Sequence, residues 1–132
     1  MQTAYRSAKR IQLTPVRAYV PTPTPSQHIV VHTLEFIELL HPDEIQYVRA
    51  ESNYCVFVMQ DGHELMASKT LGSFERHLQA HGFIRPHQSY LVNTSFVRRI
   101  RKSSGYALCM RDDTEIPIAR ARRTQIVDQF TG

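Results

Sequence analysis

The stretch "YCVFVMQDGHELMAS", residues 54–68, decides the fold class of this chain. Its first six residues are apolar at every position, which is typical of a strand covered on both faces. Asp61 and Gly62 follow, and this pair tolerates the positive φ angles of a tight hairpin turn. The stretch therefore predicts two antiparallel strands at the centre of a mostly β domain.

Further β runs continue on both sides of this hairpin, separated by turn signals roughly every 8–12 residues. In "IQYVRAE" the alternation places Ile45 and Tyr47 on one face. Ser103–Gly105 and Asp112–Asp113 are predicted turns. The remaining predicted strands are "IVVHT", "FIELL", "FIRPH", "SYLVN", "VRRIR", "YALCM" and "EIPIA".

Two segments depart from this β pattern. "KTLGSFERHLQAHG", residues 69–82, predicts one short helix capped by Thr70 and followed by Gly82. The last stretch, "RARRTQIVDQF", predicts a C-terminal helix. The apolar residues expected to pack inward from the two helices are Leu71, Phe74, Leu78, Ile126, Val127 and Phe130.

The chain of 132 residues suffices for one core and is too short for two ordinary domains. Residues 1–27 are basic, and Pro21, Pro23 and Pro25 alternate with small polar residues, so we expect a flexible tail and linker there. Residues 28–132 should form the domain. No apolar run has the length of a membrane span or signal peptide, which predicts a soluble, cytoplasmic protein without membrane insertion.

The net charge of +4 is unevenly distributed along the chain. Residues 1–27 carry four Lys and Arg and no acid, residues 28–84 carry three against eight acids, and residues 85–132 carry nine against four. Basic surface from the C-terminal third and the tail is what a nucleic-acid binder presents to phosphates, although a solvated basic face has the same composition.

Catalytic and metal-binding patterns are weak. His77 and His81 are spaced for a helix face, but no further ligand accompanies them, so two solvent-facing histidines are the favoured interpretation. His87 and Ser89 lack an orienting acid. Cys55, like Cys109, lies in an apolar run and should be a buried free thiol. We therefore expect no enzyme, no metal and no cofactor.

Polar groups suited to binding cluster where predicted strands end. Asn can pair with adenine, Arg with guanine, and hydroxyl groups can hold phosphates. Each residue also has a simpler interpretation, since Asn is common in turns and a basic segment is often only solvated. The candidates are Ser52, Asn53 and Tyr54, then Asn93 and Thr94, then Arg120, Arg122 and Arg123.

The segments "IQYVRAESNYCVFVMQDG", "SKTLGSFERHL", "GFIRPHQSYLVNTSFVRRI" and "EIPIARARR" occur in the order found in the LytTR family of bacterial DNA-binding domains. The chain resembles this family, the output module of many bacterial response regulators, over roughly residues 29–130. The most specific part of the resemblance is "FIRPHQSYLVN", residues 83–93.

The resemblance implies an elongated stack of small antiparallel sheets that binds double-stranded DNA through loops in successive major grooves, without a recognition helix. It implies DNA contacts by the candidates above and by Lys69 and Thr70 at the helix start. Asn93, projected by a turn, is the first choice for a base contact. Three further motif residues, Arg85, His87 and Ser89, are expected to orient the Asn93 loop.

This chain also departs from the family pattern. Gln88 stands where a basic residue is usual, and Ala119 stands where Ser is common. Residues 1–27 are too short for a receiver domain, so the resemblance implies a stand-alone transcriptional regulator on direct promoter repeats, with a second copy on the adjacent repeat and a regulatory protein as further partners. The alternatives are a protein-interaction module with a basic docking tail and, more remotely, a nuclease.

Overall fold

The computed structural model describes residues 28–132, and the predictions made for residues 1–27 lie outside them. Ten strands and two α-helices are present in the described part. The strands are β1 (Ile29–His32), β2 (Ile37–Leu40), β3 (Ile45–Glu51), β4 (Tyr54–Met59), β5 (Glu64–Ala67), β6 (Phe83–His87), β7 (Tyr90–Asn93), β8 (Val97–Arg101), β9 (Ala107–Met110) and β10 (Glu115–Pro117). The helices are α1 (Gly72–Gln79) and α2 (Arg123–Thr131), and one-turn 3₁₀ segments occupy Pro42–Glu44, Thr94–Phe96 and Arg120–Arg122.

The strands form three antiparallel sheets. The central sheet has the order β5-β4-β3-β7-β6, a second sheet has the order β10-β9-β8, and β1 pairs with β2. The predicted hairpin at Asp61 and Gly62 is confirmed: β4 and β5 pair antiparallel, and Gly62 has a φ of 94°. The prediction of a mostly β domain of small antiparallel sheets with one short helix and a C-terminal helix is therefore confirmed.

The central sheet is covered on both faces, as the apolar run of β4 predicts. Phe57 lies in a core cluster with α1 and the β1–β2 hairpin. Val56 and Val58 point to the other face and pack against residues of β9, β10 and α2. Cys55 and Cys109 are buried free thiols, as expected. The two clusters hold the three sheets in one stack.

The prediction that Ile45 and Tyr47 share a face is wrong. A bulge between these two residues shifts the register of β3 against β4. Ile45 packs in the cluster with α1, whereas Tyr47 packs in the cluster on the opposite face. The bulged residue, Gln46, is buried, and its amide nitrogen, in the orientation that satisfies both groups, donates to the Asp112 carboxylate at 3.1 and 3.2 Å. The bulge thereby ties the central sheet to the β9–β10 turn.

The start of α1 also differs from the prediction. Leu71 precedes the first helical residue, and the helix has no side-chain cap. Thr70 instead lies one residue earlier, with its Oγ1 3.2 Å from the Ser73 Oγ. The apolar face of α1 is buried as expected, through Leu71, Phe74 and Leu78. Thr70 is consequently exposed, outside the helix.

The helix α2 packs on the second core cluster. Ile126 is buried there, and Phe130 packs against the same cluster while partly exposed. No helix within residues 28–132 is long and apolar enough to cross a membrane.

Candidate nucleic-acid interface

Two turns that are distant in sequence lie side by side at one end of the central sheet. Ser52 and Asn53 connect β3 to β4. Gln88 and Ser89 connect β6 to β7, and the Ser89 carbonyl accepts a 2.8 Å hydrogen bond from the Ala50 amide in β3. Since β7 is the direct neighbour of β3, the exposed residues of both turns emerge from the same end of the sheet.

Two further segments reach this end of the sheet. Lys69 and Thr70 follow β5, whose last residue pairs with Cys55 near the start of β4. On the opposite side, the Ala119 amide donates to the Pro86 carbonyl in β6 at 2.8 Å, which places the C-terminal segment beside that edge strand. We call this row the loop edge, defined by Ser52, Asn53, Lys69, Thr70, Gln88 and Arg120.

The β3–β4 turn presents Asn53 to solvent. Ser52 adopts a φ of 56°, a left-handed conformation that tightens the turn, and both Ser52 and Asn53 are exposed. Tyr54 is the first residue of β4 and is half-buried against the second core cluster. Its hydroxyl donates to the Glu51 carboxylate at 3.4 Å. Tyr54 therefore anchors the turn, while Asn53 extends from it.

The β6–β7 turn is held by the three motif residues predicted as supporting ones. Arg85 Nη2 donates to the Gln88 carbonyl at 2.6 Å, and the Ser89 amide donates to His87 Nδ1 at 3.1 Å. These contacts fix the turn that carries Gln88. The expectation that Arg85, His87 and Ser89 orient the Asn93 loop is accordingly wrong.

The three C-terminal arginines are placed differently from one another. Arg120 is exposed. Arg122 is half-buried, and its Nη1 donates to the Arg85 carbonyl at 2.9 Å. The Arg123 guanidinium lies over the Tyr106 ring, 4.3 Å from its centroid. Arg122 and Arg123 thus hold the segment in place, which leaves Arg120 as the most accessible of the three.

Asn93 is not presented to solvent, contrary to the prediction. It is only 4% exposed, and its amide nitrogen donates to the carbonyls of Pro42 and Ile45 at 3.3 and 3.0 Å. Its Oδ1 accepts from the Ser95 amide at 3.0 Å. Because Ile45 begins β3 and Asn53 follows its end, Asn93 lies roughly 20 Å from the loop edge, at about 3.3 Å per strand residue.

Thr94 lies beside Asn93 at this opposite end of the sheet. Its hydroxyl donates to the Gly82 carbonyl at 2.9 Å, and its amide donates to the same carbonyl at 3.2 Å. The structure therefore separates Asn93 and Thr94 from Asn53 and the C-terminal arginines, with which the sequence had grouped them.

Gln88 occupies the position at the loop edge that was expected of Asn93. Sequence reasoning noted it only as a departure from a family pattern. The available signal was its place between His87 and Tyr90, because these two residues pair across the turn and leave Gln88 and Ser89 to form it. An exposed amide at a two-residue turn carries both a donor and an acceptor, the groups that pair with base edges.

The cationic side chains of the described residues are of two kinds: those paired with a carboxylate and those without such a pair. Arg49, Arg85, Arg98 and Arg101 each pair with a carboxylate, and two of these pairs raise the pKa of Arg49. Other cations have no acid within ion-pair distance in residues 28–132, which leaves their charge available to phosphates. These are Lys69, Arg76, Arg99, Lys102, Arg111, Arg120, Arg122 and Arg123.

The histidine pair of α1 and the Cys55 thiol lie outside the loop edge. The rings of His77 and His81 lie 5.6 Å apart, but residues 28–132 contain no group of three or more His, Cys, Asp or Glu side chains that could hold a metal ion. Burial raises the pKa of the Cys55 thiol to about 11, which keeps it protonated and unreactive at neutral pH.

Comparison with known proteins shows which family the sequence matches. The LytTR family model, described as the LytTr DNA-binding domain, matches residues 35–131. Sensory transduction protein LytT of Bacillus subtilis (strain 168) is 34% identical over 88 residues, which cover 65% of this chain and 36% of that protein. LytT of Oceanobacillus iheyensis is 25% identical over 108 residues, covering 79% and 44%. The chain spans less than half the length of these relatives.

A solved structure shares the fold. The LytTr DNA-binding domain of a response regulator from Bacillus cereus superposes with a TM-score of 0.68 at 18% identity, over 78% of this chain and 95% of that one. The order of strands, the two packed faces of the central sheet and the family match over most of the chain lead to one conclusion. This chain belongs to the LytTR family of DNA-binding domains.

Proposed function

We propose that this domain is a transcriptional regulator that binds short direct repeats in promoter DNA, with two copies side by side and the loop edge of each in the major groove. The observation that carries the proposal is the convergence of Asn53, Gln88 and Arg120, which come from three separate segments and are all exposed at one end of the central sheet. Such a row of polar tips on a rigid sheet suits base recognition.

The residues of the loop edge match the hydrogen-bonding groups of DNA. The amides of Asn53 and Gln88 can pair with N6 and N7 of adenine, and the Arg120 guanidinium can pair with O6 and N7 of guanine. Lys69 and the Thr70 hydroxyl suit backbone phosphates, which fix the register without reading sequence. These roles replace those expected of Asn93 and of Tyr54, whose side chains are engaged within the protein.

The width of the loop edge supports this division of roles. Strands in a sheet lie about 4.8 Å apart, so β5 and β6 are separated by roughly 19 Å across the five-stranded sheet. The major groove is only about 12 Å wide. Asn53 lies between β4 and β3 and Gln88 between β7 and β6, roughly 10 Å apart at this strand spacing, so both can enter the groove. Lys69 and Arg120, on the outer side of each, can then meet the strands that border the groove.

Selection of the full chain on random duplexes, followed by footprinting, tests the proposal. We expect two sites in the same orientation, about one helical turn or a multiple of it apart, and an affinity that falls steeply as salt rises. Binding that is insensitive to both salt and sequence would contradict it and would favour the protein-interaction module. A protein with this function acts in the compartment that holds the DNA.

A further inference from the structure

One arginine side chain joins the Gln88 turn of the proposed interface to α1. The Arg85 guanidinium donates through Nη2 to the Gln88 carbonyl and through Nη1 to the Glu75 carboxylate in α1. The Arg85 carbonyl accepts from Arg122 in the C-terminal segment. The Gln88 turn therefore depends on where the Arg85 guanidinium lies, whereas Arg122 bonds to the Arg85 backbone.

Glu75 binds the Arg85 guanidinium from α1. Gln79, one turn later on α1, donates to the other Glu75 oxygen at 3.2 Å, so the carboxylate is oriented from both sides. The side chains of Arg85 and Glu75 are 19% and 29% exposed. If one partner were lost, water could therefore hydrate the other charge only in part. Without Glu75, the Arg85 side chain could adopt more rotamers, and its guanidinium would be held less firmly.

The described surroundings of Arg85 contain no second carboxylate besides that of Glu75. Both residues line a polar cleft of about 440 Å³ between α1, β6 and α2, and Glu75 is the one acid among its described lining residues. The Arg85 Nε is buried and has no hydrogen-bond partner in the described part of the chain. Loss of the Glu75 charge would thus leave the guanidinium with neutral partners, the Gln88 carbonyl among them.

We propose that Glu75 is a positioning residue for DNA recognition: it fixes the Arg85 guanidinium, which in turn holds the Gln88 turn in the geometry that specific DNA requires. This inference rests on the proposed function of the loop edge. The expected effect of this acid on DNA affinity is opposite to the usual one. An acid near a DNA-binding surface normally weakens binding by repulsion, whereas Glu75 should strengthen specific binding while opposing nonspecific binding.

The test compares the full-length Glu75→Gln variant with the parent chain on a selected duplex and on a random duplex of equal length. We expect affinity for the selected duplex to fall roughly three- to tenfold, as for the loss of a partly exposed ion pair. Affinity for random DNA should be unchanged or slightly higher. The matched control is Glu35→Gln, which removes the same charge from an exposed position in the β1–β2 turn and should leave the ratio of the two affinities unchanged.

A second readout follows the turn itself in the absence of DNA. The Ser89 amide, which donates to His87 Nδ1, should exchange its hydrogen faster in Glu75→Gln. Should that variant unfold, Glu75→Asp, which keeps the charge but has a shorter reach, takes its place in both measurements. Equal loss of affinity on both duplexes, or an unchanged ratio with unchanged Ser89 exchange, would overturn the positioning role.

Gln88→Ala separates this inference from the proposed function. A lower ratio of specific to random affinity in Gln88→Ala, with no change in Glu75→Gln, would overturn the positioning role and leave the loop edge as the recognition surface. An unchanged ratio in Gln88→Ala would also overturn the positioning role, because the turn would then not contact bases, while the proposed function would still be decided by duplex selection and footprinting.

Discussion

Asn93 joins two segments of backbone at the end of the central sheet farthest from the loop edge. Its side chain satisfies the carbonyls of Pro42 and Ile45 and the amide of Ser95. Removal of this side chain takes a partner from each of these backbone groups. The Pro42 carbonyl keeps the Ile45 amide as a donor, and each buried group that is left unpaired costs about 1–3 kcal/mol. Asn93 therefore belongs to the stability of the fold.

Asn93→Ala should lower the free energy of unfolding by about 2–4 kcal/mol, measured by urea denaturation. Asn53→Ala is the matched control: the same residue type in an exposed turn should change stability by less than about 0.5 kcal/mol. A stable Asn93→Ala variant that loses only specific DNA binding would contradict this assignment and restore the base-contact role.

Cys55 should make stability depend on pH in the alkaline range. Burial raises the pKa of its thiol from 9.0 to about 11, so between these values the unfolded chain releases a proton that the folded chain retains. The contribution of this thiol to the free energy of unfolding is fully present below pH 9 and is lost as the pH rises toward 11. It amounts to about 2–3 kcal/mol, at 1.36 kcal/mol per pH unit. Denaturation series at pH 8 to 11 should show a smaller decline for Cys55→Ala, and an equal decline would refute the assignment.

The exposed candidates Asn53 and Lys69 could be predicted from the sequence because a polar residue after an apolar strand usually stays at the surface. The burial of Asn93 could not be predicted in the same way. Its partner Pro42 is 51 positions away and lies in a 3₁₀ turn that brings the Pro42 carbonyl to the strand end. Local patterns contain no information about such a long-range hydrogen bond.

Among the elements, β3 shows where strict alternation along a strand fails to predict which face of the sheet a side chain occupies. Its bulge at Gln46 turns Tyr47 toward the second sheet, and the Gln46 amide then meets Asp112 in the β9–β10 turn. The apolar content of β3 and β4 and the glycine turn between β4 and β5 were predictable, because they depend on local chemistry. The bulge depends on the second sheet, which packs against β3, so the periodicity of the sequence alone could not predict it.

The C-terminal segment should separate DNA contact from structural support. Arg120→Ala should reduce affinity for a selected duplex by about 1–3 kcal/mol with little change in melting temperature, since Arg120 is exposed. Arg122→Ala should lower the free energy of unfolding by about 1 kcal/mol, because its hydrogen bond to Arg85 is lost. Paired binding and thermal melting measurements check this, and a destabilised Arg120→Ala with normal binding would refute it.

On the scale of the whole molecule, the stacked sheets divide structural and binding tasks between the two ends of the central sheet. One end is closed by Asn93, Thr94 and the Pro42–Glu44 turn, with their polar groups paired internally. The other end presents the loop edge, where the polar tips have few internal partners. A rigid sheet with unpaired groups at one end favours recognition by preorganised loops.

The most direct test of this division is the affinity of an Asn53→Ala, Gln88→Ala double variant for a selected duplex and for a random duplex of equal length. The loop edge as the base-recognition surface predicts a loss of roughly tenfold or more on the selected duplex, with random binding nearly unchanged. An equal change on both duplexes would contradict it, because the bases would then be read elsewhere on the domain.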